Sequence, residues 1–209
     1  MPAGIYVADH PLVQHDLAAL RDTAVAPPQF RQLVSRIARA LFYEASRDLE
    51  LKPVAVATPV AEARCAILAE AIAFVPVLRA GLGMADALLD ALPTASVWHL
   101  GLYRVHETLK PVTYYSKLPA DHATDVAFVL DPMLATGGSA CEAIRILKAA
   151  GVPRIRFIGL IAAPEGVQAL RDEHPDVSAH LGAIDSHLNG SGYIVPGLGD
   201  AGDRQFGTW

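Results

Sequence analysis

After Pro27-Pro28, apolar side chains recur at spacings of three and four: Phe30, Leu33, Val34, Ile37, Leu41, Phe42 and Ala45. That period predicts a helix with one stripe turned to a core, and Arg31, Arg36 and Arg39 fall on its other faces. Downstream, short unbroken apolar runs alternate with helical patterns. "AFVPVL" (Ala73 to Leu78) reads as a strand that ends in "RAGLG", followed by a helix from Met84 to about Ala91. "ASVWHLGLY" is the next strand and "DVAFVLD" (Asp125 to Asp131) another. "PMLATGGS" leads into a helix, Ala140 to Ala150, that stops at Gly151, the residue type a left-handed helix end favours. "IRFIGLIAA" is a strand, "PEGVQALRDEH" a helix opened by proline, and "DVSAHLGAI" a final strand.

Strands that are apolar throughout, separated by helices, predict an α/β fold: a mainly parallel central sheet flanked by helices on both faces. Ligands in such folds sit outside the C-terminal ends of the strands. The loops to inspect are therefore "RAGLG", "DPMLATGGS" and the segment after "SAHLGAID". "YRVHETLKPVTYYSKLPADHA" (Tyr103 to Ala123) is a poor helix with prolines and tyrosines, and reads as a long flexible hairpin beside the site.

Composition narrows the function classes. At 209 residues the chain can bury one real core, and 52% hydrophobic content argues against disorder. A net charge of −5 argues against nucleic acid as a partner, so any anion must be held by local cations and backbone amides. Cys65 and Cys141 have no metal or disulfide pattern and are expected to be buried free thiols; the eight histidines show no metal spacing either. "MPAGIYVADHPLVQHD" has an acid and histidines where a signal peptide needs an apolar core, and no apolar run is long enough for a membrane span. The expectation is a cytoplasmic protein with no membrane partner. Mean hydropathy of +0.30 with 19% charged residues predicts a homodimer or homotetramer, because a monomer would expose a large apolar surface.

Two glycine-rich segments carry candidate chemistry. In the first, a buried strand ends on Asp131, and Thr136, Gly137, Gly138 and Ser139 lead into a helix. Glycines let a backbone approach a phosphate, and helix-start amides and hydroxyls supply donors. There is no lysine, which excludes the nucleotide-triphosphate loop. A plain glycine turn capped by Ser139 fits the local pattern equally well. The preceding acid favours a ligand with hydroxyls next to its phosphate, a ribose 5-phosphate.

In the second segment, Gly197 to Gly202 fits G-x-G-x-x-G letter for letter. The dinucleotide reading needs a helix after the glycines and an acid about 20 positions further on. Only Asp203 to Trp209 follow, too few for a helix of useful length, so that reading is rejected. Either the glycines only make turns, or exposed backbone groups are the working parts.

"FVLDPMLATGGSA" resembles the ribose-phosphate signature of type I phosphoribosyltransferases. "VPVLRAGLGM", "YRVHETLKPVTYYSKLP", "AAPEGV" and "GYIVPGLGDAGDRQFGT" together are similar to the uracil phosphoribosyltransferase family, in order, over nearly the whole chain. Where the wider class has two adjacent acids, the second here is Pro132, as is usual for uracil enzymes. "ELKPVAVATPVAEARCAILAEAIA" matches only loosely, and no function is carried onto it.

The resemblance implies one domain over residues 1–209, with an N-terminal helical arm (about 10–48), a flexible hairpin (about 103–124) and a C-terminal base-binding hood (about 185–209). It implies transfer of the phosphoribosyl group of 5-phosphoribosyl 1-diphosphate (PRPP) to uracil, giving UMP and diphosphate. Asp131, Arg104 and Asp200 are the implied catalytic residues. Arg79, Arg104, Asp131, Pro132, Met133, Leu134, Ala135, Thr136, Gly137, Gly138, Ser139 and Asp200 are the implied PRPP site, with Asp131 on the ribose hydroxyls and Arg79 on the diphosphate. Tyr193, Ile194, Gly199, Asp200 and Ala201 are the implied uracil site, reading the base through backbone groups. Mg²⁺ is implied through the diphosphate, with few protein ligands and no dedicated metal cage. GTP is an effector of some family members, and the resemblance leaves open whether it acts here. Glu107, Lys110 and Lys117 on the hairpin read first as a solvated face. A transferase for another base and a non-catalytic regulator that senses the donor or binds RNA are the competing readings; the C-terminal hood argues against the first, and the lack of a basic stripe and intact Asp131, Arg79 and Arg104 against the second.

Overall fold

The computed structural model describes residues 3–104, 111–119 and 123–208, without the side chains of residues 103, 104, 111 and 112. The chain opens with strand β1 (Ile5–Val7) and helices α1 (Pro11–Arg21) and α2 (Pro27–Ala45). A hairpin, β2 (Leu51–Ala57) and β3 (Glu62–Leu68), precedes β4 (Ile72–Leu78), α3 (Leu82–Ala91), β5 (Ser96–Val97), β6 (Leu100–Arg104) and β7 (Pro111–Ser116). Then come β8 (Val126–Leu130), β9 (Met133–Leu134), α4 (Gly138–Ala149), β10 (Arg154–Ala162), α5 (Pro164–Glu173) and β11 (Ser178–Ile184). The chain closes with β12 (His187–Leu188), β13 (Ile194–Val195) and α6 (Ala201–Phe206).

The central sheet runs β1-β11-β10-β8-β4-β6-β7, with β5 on β4 and β9 on β10, and every pairing is parallel except β6 with β7. Along β4, Phe74 packs into a core under α1, α2 and α3, while Ala73 and Val75 pack into a second core under α4 and α5. Both faces are therefore covered, which is why the strands read as unbroken apolar runs. The apolar stripe of α2 is buried at every expected position. Phe42 sits edge-on to Phe74 and Phe128, with centroids 5.3 and 5.2 Å away, and locks α2 to the sheet.

Several expectations need correction. "ASVWHLGLY" is two short strands, because the chain leaves the sheet at Trp98 and His99. β11 is not the final strand, since β12 and β13 pair beyond it. A helix does follow the last glycine-rich turn: α6 starts at Ala201, with Asp200 as its N-cap accepting from the Asp203 amide at 2.9 Å. The loosely matching segment is an antiparallel hairpin whose residues are mostly exposed on both faces. Cys65 lies on it and is exposed; Cys141 is buried and free, as expected. Among the described residues no helix is long and apolar enough to cross a membrane.

His180 on β11 is buried and stacks on Tyr6 of the edge strand, with ring centroids 4.9 Å apart. Burial, aided by the nearby Arg156 guanidinium, pushes its imidazole down to about 4. The unfolded chain takes up this proton near pH 6.5 and the folded chain only near pH 4, so stability is lost as pH falls through that window. We expect His180→Phe to flatten the acid side of the stability profile by about 3 kcal/mol at most. Urea unfolding of both proteins between acid and neutral pH checks this, and parallel profiles refute it.

Candidate active site

The C-terminal ends of β4 and β8 and the segment after β11 bring together the three loops singled out above. β8 hands over to Asp131, whose amide donates to the Ile158 carbonyl at 3.2 Å and whose Oδ1 accepts from the Met133 amide at 3.2 Å. Pro132 accepts from the Leu160 and Ile161 amides, and Leu134 from Ala163, so the outgoing chain is stitched to β10. Gly137 then takes φ = +85°, in the left-handed region, and serves as the N-cap of α4 without any side-chain cap bond. Ser139 lies inside the helix, so the plain reading of a Ser139-capped turn does not hold. Gly137 offers no side chain to cap α4, so among the described residues its first-turn amides have no N-cap acceptor, an arrangement that suits a phosphate.

α5 forms the wall of this cradle. A Cβ at Gly166 would overlap the carbonyl oxygens of Leu134 and Ala135, and one at Gly137 would come within 2.8 Å of the Ala169 methyl. The glycine of "AAPEGV" is thus the point where α5 touches the loop backbone. Glu165 beside it accepts from the Leu188 amide at 3.0 Å and thereby reaches the hood. That backbone hydrogen bond holds its carboxyl below the usual range.

Arg79 follows β4 directly, across a cis Leu78–Arg79 peptide. Its side chain is 56% exposed, and Nη2 lies 3.2 Å from Oδ1 of Asp203 in α6. Gly81 comes so close to the end of β8 that a Cβ there would overlap the Leu130 carbonyl oxygen, the residue before Asp131. Arg104 ends β6, and its side chain lies outside the described residues, as do Glu107 and Lys110. Lys117 is exposed.

The C-terminal turn is built from inside. Ile194, Leu198 and Ala201 bury their side chains in the core on the α2 face. Gly197 and Gly199 take φ of +66° and +80°, and Val195–Pro196 is cis. Among the described residues, the Gly199 and Ala201 amides donate to no protein acceptor. Tyr193 stands half exposed at the rim, and its amide donates to Asn189 Oδ1 at 3.0 Å. Asp200 is exposed and has a structural task that the sequence did not suggest, capping α6.

Four residues that hold this turn also escaped the sequence reading. Asp185 accepts two bonds from Arg21, at 2.8 and 2.6 Å, and a third from the Gly197 amide at 2.9 Å. Arg21 in turn donates to the Gly197 carbonyl at 2.7 Å. Buried Arg204 donates to the carbonyls of Leu20 and Leu198 at 2.8 and 2.9 Å and to that of Asp22, and lies 4.4 Å from the Phe30 ring centroid. Gln205 is fully buried between α3 and the turn. One signal was available: Asp185, like Asp131, is an acid at the end of a buried strand.

Among the described residues one group has metal-ligand proximity, Cys141, Glu173 and His174. Burial pushes the Cys141 thiol up to about 12, and both His174 ring nitrogens already contact partners, Lys148 Nζ at 3.2 Å and the Cys141 carbonyl at 3.0 Å. A protonated thiol and an engaged imidazole make a packing cluster.

The family model for uracil phosphoribosyltransferase matches residues 7–208. A protein of that name from Roseiflexus sp. (strain RS-1) is 60% identical over 206 residues, covering 99% of each chain. One from Thermoanaerobacter sp. (strain X514) is 52% identical over 209 residues, covering all of both. Among solved structures, the AQ2163 protein from Aquifex aeolicus superposes with a TM-score of 0.93 at 36% identity, covering 98% of this chain and 99% of that one. A hypoxanthine-guanine phosphoribosyltransferase from Bacillus anthracis shares the fold at a TM-score of 0.52 and 13% identity, over 76% of this chain and 80% of that one.

The glycine wall predicts a mutational outcome. Gly166→Ala has to move α5 off the cradle, so we expect the KM for the phosphate-bearing substrate to rise about tenfold or more, because small displacements of a positioning loop are costly. Steady-state kinetics with a melting curve check this; an unchanged KM in a folded variant refutes the contact.

Proposed function

The chain belongs to the uracil phosphoribosyltransferase family, and from that premise we propose how its residues carry out the reaction. The enzyme transfers the 5-phosphoribosyl group of PRPP to N1 of uracil, forming UMP and releasing diphosphate, a step of pyrimidine salvage. Thr136 to Ser139, with the open first turn of α4, hold the 5-phosphate, and Pro132 to Ala135 keep that loop in register with β10. Asp131 accepts the ribose hydroxyls, and its charge favours the cationic ribosyl centre as the diphosphate departs. Arg79 and Arg104 hold the diphosphate; Arg79 exchanges Asp203 for it at an exposed, low-cost ion pair.

The observation that carries the base assignment is the turn itself. Its apolar side chains are buried and Gly197 and Gly199 have none, so apart from Asp200 it presents main chain to a ligand. Uracil offers acceptors at O2 and O4 and a donor at N3. The amides of Gly199 and Ala201, with a carbonyl of the same bend or of Ile194, match that order, and Tyr193 packs beside the ring. Asp200 stands on the ribose side. Oxygen ligands suit Mg²⁺, and Asp131 and Asp200 are the carboxylates this chain would add to those of the donor. When bound, the ion offsets the charge of the departing diphosphate. A salvage step that consumes free base and PRPP places the enzyme in the cytoplasm.

Self-association is the second part of the proposal. The β2–β3 hairpin stands apart from the main sheet with Leu51, Val56, Val60 and Ile67 exposed, and Tyr43 and Leu12 add to the apolar surface. A second copy of this chain is the partner that such a surface fits.

UMP formation from a panel of free bases with PRPP and Mg²⁺ is the direct test, run with and without GTP to check for an effector. Cytosine places a donor where O4 accepts and an acceptor where N3 donates. A fixed main-chain reader should reject it by roughly 10⁴-fold in kcat/KM. Gly199→Ala, strained at positive φ, should impair uracil use, and Asp131→Asn should fold yet lose roughly a hundredfold or more in turnover. Comparable use of cytosine would refute the reader, and near-normal Asp131→Asn turnover the role of the acid. Light scattering should give a mass well above the 22.2 kDa chain; a monomer at assay concentration rules out self-association.

A further inference from the structure

Gln205 has no place in the reaction as described, yet it is the one polar side chain of α6 with no exposure at all. Its Nε2 donates to the Ala80 carbonyl at 2.8 Å and to the Ala201 carbonyl at 3.1 Å. Ala80 belongs to the loop after β4 and directly follows Arg79. Ala201 belongs to the base-reading turn. Both partners are acceptors, so the amide can face them only through its nitrogen, and its orientation is fixed. The opposite atom, Oε1, is buried without a partner among the described residues. It lies where a side chain at Gly83 would be, and a Cβ built on Gly83 would overlap it. Leaving a buried carbonyl unsatisfied costs stability, and a packing role alone would be met better by Leu or Met.

The neighbourhood repeats the same connection. Asp203, two residues before Gln205, pairs with Arg79. A Cβ built on Gly202 would stand 3.9 Å from the Ala80 methyl, so the first turn of α6 lies beside the loop with room for little more than a methyl between them. The outer link is an exposed ion pair, which the diphosphate displaces on the reading above. The inner link is the buried amide, which persists when the outer one is exchanged.

We propose that Gln205 is a positioning residue that joins the diphosphate loop to the base-reading turn, so that filling the diphosphate subsite strengthens uracil binding. The proposal rests on the assignment of Arg79 to diphosphate and of the turn to uracil. A diphosphate that fixes Arg79 and Ala80 also fixes the Ala80 carbonyl. Through Gln205 it then fixes Ala201, whose amide faces the base. Ordering one subsite thereby lowers the ordering cost at the other, which is positive coupling.

The test measures uracil affinity by titration calorimetry with and without saturating magnesium diphosphate, in wild type, Gln205→Met and Gly83→Ala. Gln205→Met keeps the volume and removes the donor. Gly83, at the end of "RAGLG", lies in the first turn of α3 and has no assigned contact with substrate; alanine there suits a helix, and its methyl meets only the end of Gln205, with Val34 at an ordinary 3.7 Å. It therefore carries the test even if the methionine variant fails to fold. Diphosphate should tighten uracil binding about tenfold in wild type, and the ratio should fall towards one in both variants. Uracil KM should rise with kcat at saturation changed by no more than about twofold, a split that general loss of stability does not produce. A ratio preserved in both variants, or a ratio near one in wild type, overturns the proposal. Wild-type turnover separates the two failures. No UMP from uracil sinks the assigned function, whereas normal turnover with preserved coupling sinks only the role of Gln205.

Discussion

A single ion pair holds the residue Gly197 from both sides, through the peptide group before it and the one after it. Asp185 takes its N–H, Arg21 takes its C=O, and the two side chains bind each other twice. The bend from Gly197 to Ala201 contains two left-handed glycines and makes no regular structure of its own, so its shape has to be imposed from outside. Arg21 comes from the end of α1 and Asp185 from the end of β11. The bend therefore exists only where helix, sheet and hood have already assembled. Arg204 adds the same constraint from below, tying Leu198 to the carbonyls that close α1. Breaking either partner would leave a charge or a carbonyl without compensation in a part-buried site, which is more damaging than losing an exposed pair.

The sequence showed the elements that have two buried sides or one. β4 and β8, and β10 beyond Arg156, are apolar because helices cover both faces, and α2 shows its stripe because one face is buried. What it did not show has a shared physical cause. The β2–β3 hairpin is exposed on both faces, so no burial pattern is written into "LKPVAVA" or "EARCAIL". β1 is three residues long at the sheet edge, and α6 is six, too short for a helical period. The short α6 gave no sequence signal for that reason, and the rejection of the dinucleotide reading stands: six residues cannot provide the long helix that faces a pyrophosphate.

The site was legible where chemistry is written in consecutive residues. Asp131 to Ser139 could be read as an acid followed by a cradle because strand, loop and helix are contiguous. The supports were not legible, because each joins segments far apart in sequence. Arg21 meets Asp185 across 164 positions, and Gln205 meets Ala80 across 125. Gly83 looks like a flexible loop residue in "RAGLG", and only the fold shows that its missing side chain makes room for an amide. Gly166 is similar, a glycine inside a helix whose reason is the loop on the other side of it.

On the main-chain reading of the base proposed above, these two classes of residue divide the work of recognition. A main chain can present only one pattern of donors and acceptors, so no rotamer change lets it accept the complementary base. Its selectivity is set by where the peptide groups are held, and hence by side chains that touch no ligand. Asp185, Arg21, Arg204 and Gln205 are all charged or amide groups because the objects they hold are carbonyls and N–H groups, which apolar packing cannot orient. The cost is a set of buried polar groups around a small hood. On that reading the return is that no side chain need read the base edge: Ile194, Leu198 and Ala201 face the core, and the glycines are free to bend. A hydrophobic, glycine-rich segment with little visible chemistry is what a sequence must look like when the chemistry is main chain and its control lies elsewhere in the fold.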